Sequence, residues 1–302
     1  MRIIVPREKI VSVAKSRVLV SDGAWGTFLY KKGLQPGECP EEWCLSHFDG
    51  VKEIAASYIA AGADMVETNS FGGTCFKLKP HGLETCVAAI NEAAARASRE
   101  AAGADHWVIA SMGPTGKMLV TEEVTEKELY AAFKEQAVAL EKGGADAVCI
   151  ETMSDIGEAV EAIKAVRENT SLEVICTFTF ERTAKGSFRT MMGVTPERAA
   201  RAAVEAGADI VGANCGNGFE AMIEIVKEIR AALPAAPILV HANAGLPKTV
   251  DGHIVFPESP EDMAGRVNEL VSAGANIIGG CCGTTPEHIK AIKEELSAEI
   301  RK

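Results

Sequence analysis

The sequence predicts an α/β fold of the (β/α)8 type, a TIM barrel built as a single domain over residues 1–302. Three observations lead there. Eight short runs rich in Val, Ile and Ala recur along the chain. Segments of helical periodicity separate them, as in ELYAAFKEQAVALEKGG and FEAMIEIVKEIRAAL. A four-residue pattern also precedes every second run: AGAD from Ala61, GGAD from Gly143, AGAD from Ala206 and AGAN from Ala273.

The runs, in order, are RVLVSDGA, ADMVETNSF, HWVIASMGP, ADAVCIETM, EVICTFTF, ADIVGANCG, PILVHANAG and ANIIGGCCG. Nearly continuous apolar stretches suit parallel strands covered on both faces, where alternation with polar residues is lost. Eight strand–helix alternations in a chain of this length favour a closed barrel over an open doubly wound sheet, and no GxGxxG follows the first run. In the repeated pattern, glycine can end a helix in the left-handed conformation, and the chain then turns into the next strand. Thr195-Pro196 and Thr285-Pro286 read as helix starts, with threonine as N-cap and proline in the first turn. Longer connections follow the first, second and seventh runs: KKGLQPGECPEEWCLSHFDG, FGGTCFKLKPHG and AGLPKTVDGHIVFPESP. All three leave the C-terminal ends of strands, the face that carries the active site in such barrels.

Composition narrows the function. The apolar share of 47% fills a large core, and the net charge of −11 argues against nucleic-acid or anionic-membrane partners. No run reaches the length of a membrane helix. Charges break the N-terminal apolar run, so no signal peptide is expected, and nine cysteines then indicate a reducing, cytoplasmic setting. In that setting the Asn169-Thr170-Ser171 sequon has no meaning.

Three cysteines stand apart by position. Cys215 ends the sixth run, and Cys281 and Cys282 end the eighth. Alternate strands of a barrel feed one interior layer, so these thiols can meet at one point. Thiolates are favoured zinc ligands, and three of them leave a tetrahedral ion one position short, as chemistry requires. Neighbouring strand residues face opposite ways, so Gly279, Gly280 and Gly283 are expected to bend the strand end and bring both sulfurs together. Cys39, Cys44, Cys75, Cys86, Cys149 and Cys176 read as core or loop residues. Asn243 ends the seventh run between the two cysteine-bearing strands and has two roles open to it: oxygen ligand in the fourth zinc position, or hydrogen-bond holder of the following loop.

Acidic residues occupy other strand ends. Asp22 and Glu151 are candidates for the ammonium of an amino-acid substrate, with the Gly23 and Ala24 amides facing its carboxylate. Asn69 and Thr152 are supporting donors, whereas Glu67 and His241 read as structural, His241 with no carboxylate partner evident in the sequence. Strand-end lysines are lacking, which counts against Schiff-base aldolase chemistry.

With these residues assembled, the chain resembles the homocysteine S-methyltransferase family over nearly its whole length. The matching motifs are DGAWGT at Asp22, PEEWCLSH at Pro40, ETNSF at Glu67, ASMGPTG at Ala110, ETMSDIGEA at Glu151, GANCG at Gly212 and GGCCGT at Gly279. The ordered set is specific where no single piece is. The resemblance implies a zinc barrel with Cys215, Cys281 and Cys282 as ligands, and Asp22 and Glu151 in contact with homocysteine. HANAGLPK at His241 is similar to the homocysteine-binding module of cobalamin-dependent methionine synthase, which implies methylcobalamin as the methyl donor. No DxHxxG corrinoid motif occurs in this sequence, so the implied partner is a separate corrinoid protein or domain. The alternatives are a betaine- or S-methylmethionine-dependent thiol methyltransferase, or a zinc-binding subunit without catalysis.

Overall fold

A computed structural model of the protein describes residues 8–250 and 253–299. The first seven residues, with the charges that break the N-terminal apolar run, lie outside the described residues, as does the tip of the loop after the seventh strand.

All eight expected strands form: β1 (Leu19–Val20), β2 (Met65–Val66), β3 (Trp107–Met112), β4 (Ala147–Met153), β5 (Glu173–Phe178), β6 (Ile210–Asn214), β7 (Ile238–Ala242) and β8 (Ile277–Gly280). They make one parallel sheet in the order β1-β8-β7-β6-β5-β4-β3-β2, a TIM barrel in which β1 pairs with β8. The one seam without a strand ladder lies between β1 and β2. Side chains and single bonds lace it instead: Asp64 N–H donates to Val20 O at 2.7 Å, and Val20 N–H to Asp64 Oδ2 at 2.8 Å. Higher up, Glu67 N–H donates to Asp22 Oδ2 at 2.7 Å.

Each strand sends at least one apolar side chain to the barrel's lower interior, among them Leu19, Met65, Ile175 and Leu239. The short helix α1 (Ile10–Ser16) closes that end by adding Ile10, Val13 and Ala14 to the cluster. Its first turn has no side-chain cap of its own, and the buried Glu173 carboxylate takes the N–H groups of Ile10 and Val11 at 2.7 and 2.9 Å. A second, larger core fills the space between sheet and outer helices, including α2 (Phe48–Ala60), α3 (Val87–Ala102), α4 (Glu126–Lys142) and α5 (Ile156–Asn169). The ring continues with α6 (Pro196–Ala206), α7 (Phe219–Ala232), α8 (Val267–Ala273) and α9 (Pro286–Glu299).

The four-residue repeat becomes a four-fold structural device. Gly62, Gly144, Gly207 and Gly274 take φ values of 101, 101, 112 and 113°, ending helices in the left-handed region as expected. The acid or amide two residues later then bonds the start of the preceding strand. Val108 N–H donates to Asp146 Oδ2 at 2.7 Å, Val174 N–H to Asp209 Oδ2 at 2.8 Å, and Ile238 N–H to Asn276 Oδ1 at 3.0 Å. A cation from the helix before last completes each bracket: Arg99 on Asp146, Arg167 on Asp209, Arg230 on Asn276 and, across the closure, Lys293 on Asp64.

Thr195 caps α6 as expected, accepting from Arg198 N–H. The Thr285 hydroxyl instead meets His288 Nδ1 at 3.0 Å. One further difference lies after β5. That strand ends at Phe178, and the polar stretch beyond folds into a hairpin pairing Glu181–Arg182 with Phe188–Arg189, turned at Gly186 with φ of 83°. A second hairpin, Lys248–Val250 with His253–Val255, rises from the loop after β7. No helix among the described residues is long and apolar enough to cross a membrane.

Candidate active site

The C-terminal ends of the strands surround a cavity of about 280 Å³. Cys215, just past β6, and Cys281 and Cys282, just past β8, reach it together. Cys215 and Cys282 Sγ are 4.0 Å apart, as are Cys281 and Cys282 Sγ, and all three sulfurs lie within 4.8 Å of one another. Sulfurs at tetrahedral positions about 2.3 Å from a common ion stand roughly 3.8 Å apart. The three thiols therefore fit a single tetrahedral metal ion. Their own contacts are unequal: hydrogen bonds from Cys281 and Cys282 hold the Cys215 thiol down to about 3, and the contact with Cys215 pushes Cys282 up to about 11.

The backbone that aims them differs in part from expectation. Gly279 and Gly280 stay in regular β8, and close approach rather than bending demands glycine there. A Cβ on Gly279 would stand 2.8 Å from Asp22 O, and one on Gly280 would stand 2.2 Å from Thr284 Oγ1. The bend comes at Gly283, with φ of 84°, while Cys215 itself takes the left-handed region at 57°. Asn243 is buried, its amide hydrogen-bonds Cys215, and its Oδ1 has no hydrogen-bond partner among the described residues.

Glu151 lines the cavity from the end of β4. Its Oε1 accepts from Ser111 Oγ and its Oε2 from Asn214 Nδ2 at 3.2 Å. Burial pushes its carboxyl up to about 7, against the lowering effect of Ser111. Gly23 and Ala24 also line the cavity, but the Ala24 amide donates to Thr284 Oγ1 at 3.0 Å. Thr152, beside Glu151, has φ of 61°.

Asp22 does not line the cavity. It is wholly buried, and besides Glu67 N–H its carboxylate accepts from Trp25 Nε1 at 2.9 Å and Ser21 Oγ at 3.2 Å. Burial raises it to about 6, with those donors pulling the other way. Here it braces β1 against β2. Asn69 lines the cavity, yet its Nδ2 donates to Pro40 O at 2.6 Å and its backbone oxygen accepts from Cys44 Sγ, so it also fastens the loop after β1.

His241 corrects the expectation made for it. Its Nδ1 lies 3.5 Å from Glu67 Oε1, so a carboxyl partner is present, and both residues line the cavity. β2 and β7 are not neighbours in the sheet, and only closure of the barrel brings them together. Burial lowers the imidazole to about 4 and raises Glu67 well above the usual carboxylate range, with the Glu151 and Asp22 charges adding to the rise. The pair sets a buried imidazole beside a buried carboxyl group, and burial disfavours the charged form of each.

Of the other cysteines, Cys39, Cys44, Cys149 and Cys176 are buried, and Cys75 and Cys86 are partly so, all outside the three-cysteine cluster.

The homocysteine S-methyltransferase family model matches residues 19–296. The chain belongs to that family. Among solved structures, homocysteine methyltransferase MmuM from Escherichia coli in its metallated form aligns with a TM-score of 0.78 at 21% identity, over 94% of this chain and 98% of that one. Its oxidized form aligns at 0.75 and 22%, over 92% and 95%. A methyltransferase from Methanosarcina mazei aligns at 0.61 and 11%, over 96% and 98%. At these identities the likeness is one of fold, and the family match makes the chain a methyltransferase of the homocysteine S-methyltransferase class.

Three residues of this methyltransferase site escaped sequence reasoning: Ser111 and Asn214, which hold Glu151, and Thr284, which ties the β8 loop to β1. The available signal was their place as polar residues at or just past the ends of apolar strands, the same signal that singled out Asp22 and Glu151.

Proposed function

We propose that the enzyme makes methionine by moving a methyl group onto homocysteine, bound as a thiolate at a zinc ion held by Cys215, Cys281 and Cys282, with methylcobalamin on a separate corrinoid protein or domain as donor. One observation carries the reading: three sulfurs spaced for one tetrahedral ion open onto a cavity that also contains Glu151. When bound, zinc supplies a Lewis acid that keeps a coordinated thiol ionised at neutral pH, where a free thiol of pKa about 8.5 is only a few per cent thiolate.

The chain's own residues do the rest. Cys215, Cys281 and Cys282 would hold the ion and leave it able to take substrate sulfur, and Asn243 Oδ1, without a hydrogen-bond partner among the described residues, would be the oxygen candidate for that place beforehand. Glu151 anchors the substrate ammonium, with Ser111 and Asn214 fixing both carboxylate oxygens. Gly23 faces the substrate carboxylate from the end of β1. Asp22 stands behind as a brace whose charge adds to the pull on the ammonium. Trp25, Leu29, Pro40 and Phe71 line the cavity with apolar surface and exclude water from the thiolate.

The cavity has room for a small amino acid and none for a corrin ring. The donor must then approach over the mouth. Loops after β2, β3, β5 and β7 expose Phe71, Val120, Met191, Leu246 and Ile254, the last three at 76, 58 and 72%. Such apolar exposure on the face around the site supports the docking of a protein-borne donor.

The test is an assay of the zinc-loaded chain with homocysteine and, separately, methylcobalamin, betaine and S-methylmethionine. Methionine is expected with methylcobalamin, faster when a corrinoid protein carries it. Turnover confined to betaine or S-methylmethionine would replace the donor. A bound zinc whose coordination ignores added homocysteine would leave only a non-catalytic subunit.

A further inference from the structure

We infer that Asn214 sets the reach between the thiol-binding centre and the amino-acid anchor, and so selects a thiol with the two-methylene arm of homocysteine over the shorter cysteine. The inference rests on Glu151 being the ammonium anchor proposed above.

Asn214 is wholly buried at the end of β6, immediately before Cys215. An asparagine amide offers two acceptor and two donor positions, and all four are taken. Its Oδ1 accepts from Thr152 N–H and from Thr177 Oγ1, each at 2.7 Å. Its Nδ2 donates to Thr152 Oγ1 at 2.7 Å and to Glu151 Oε2 at 3.2 Å. One side chain thus grips the anchor, and the next residue along the chain is a sulfur ligand.

The backbone on both sides of this link is strained in the same sense. Thr152 and Cys215 have φ of 61 and 57°, two of the three non-glycine residues with positive φ among the described residues. For β-branched threonine this conformation is costly and persists only where surroundings impose it. Both Asn214 contacts to Thr152 do that, so the turn after Glu151 is held by the residue that precedes Cys215. Sulfur centre and anchor are joined through one peptide unit and one fully engaged amide, with no flexible element between. One methylene changes a substrate's reach by about 1 Å, a misplacement that costs on the order of 100-fold in a rigid site.

The experiment compares zinc-loaded wild type, Asn214→Ala, Asn214→Asp, Thr177→Val and Glu151→Gln. Metal analysis gives zinc content, calorimetry gives homocysteine and cysteine affinity, and turnover gives kcat and KM for both. Asn214→Ala should keep its zinc, raise the homocysteine KM roughly tenfold or more with a smaller change in kcat, and reduce the preference over cysteine about tenfold. Asn214→Asp puts an acceptor against Glu151 and should lose at least as much. Thr177→Val keeps Asn214 and removes one of its supports; it should lower the preference a few-fold, and it carries the test if the Asn214 variants do not fold. An unchanged homocysteine-to-cysteine preference in every variant that folds overturns the inference. So does loss of zinc in step with activity, which would make Asn214 a prop of the metal site. Glu151→Gln separates the two layers. If it weakens amino-acid binding while the Asn214 and Thr177 variants keep their preference, only the reach is wrong. If it binds both thiols as wild type does, the anchor falls and the reach with it.

Discussion

The two ends of the barrel are built on opposite plans. At the N-terminal end the same bracket occurs four times, a Gly-led turn, an acid or amide on a strand amide, and a cation from the helix before last. At the C-terminal end the loops share no such device: one carries Trp43 and Glu41, the loops after β5 and β7 carry hairpins, and one the cysteine pair Cys281 and Cys282. The repeated end uses charge where partners are at hand and partly in solvent. The irregular end buries Asp22, Glu67 and Glu151 together, with no salt-bridging Lys or Arg among the described residues. Stability and chemistry have thus been assigned to different ends, and perturbing them should give separable effects.

The largest effect belongs to the upper end. Replacing Cys281 with serine should remove zinc and lower turnover by on the order of 1,000-fold, the size of a lost metal Lewis acid. Its unfolding curve should match that of zinc-free wild type; a collapse of the fold would mean that the upper end also holds the barrel together.

Next comes the pH dependence of Glu151. Its folded pKa of about 7 lies above the ordinary 4.5, so its contribution to stability is fully present below about 4.5 and is lost as pH rises through 7. Denaturant titrations of zinc-free protein from pH 4.5 to 8 should show wild type losing roughly 3 kcal/mol relative to Glu151→Gln. Parallel pH curves for the two proteins would remove the buried-charge account of this end.

Asp209→Ala tests the lower end in return. It strips partners from Val174 N–H and from the half-exposed Arg167, so stability should fall by about 2 kcal/mol once solvent screening is counted. Homocysteine affinity measured by calorimetry should stay at the wild-type value, and a shift there would show that the ends communicate.

The smallest effect concerns the one bracket that departs from aspartate. Asn276 takes the Ile238 amide and Arg230 on Oδ1, and its Nδ2 donates to Ala14 O at 2.9 Å, fastening α1 beneath the barrel. A carboxylate has no hydrogen to give that carbonyl. Asn276→Asp should cost about 1 kcal/mol, visible as earlier proteolysis of α1.

This contrast also explains what was legible in the sequence. The barrel could be read because its rules are local: apolar runs, helical spacing and a glycine two residues before each bracketing acid. The three cysteines could be read because they stand at strand ends beside glycines. Asn214 was hidden, since its role exists only through Thr152, Thr177 and Glu151 on neighbouring strands. His241 and Glu67 were hidden more deeply, because strands apart in the sheet meet only across a closed interior. Gly279 and Gly280 were found for the wrong reason: the sequence shows a missing Cβ but not the wall of Asp22 and Thr284 that excludes one. Asp22 was placed on the right strand, but nothing local tells which way a strand-end carboxylate turns.

The unladdered seam between β1 and β2 has a mechanical consequence. Widening the barrel elsewhere means surrendering a row of ladder bonds, whereas here two aspartates let go of an amide each and a single backbone bond, Asp64 N–H to Val20 O, breaks. Asp64 guards the lower part of that slit and Asp22 the upper part, beside the substrate chamber. Dilation will therefore begin at this slit, and amide hydrogen exchange should register it first at Val20 and Glu67.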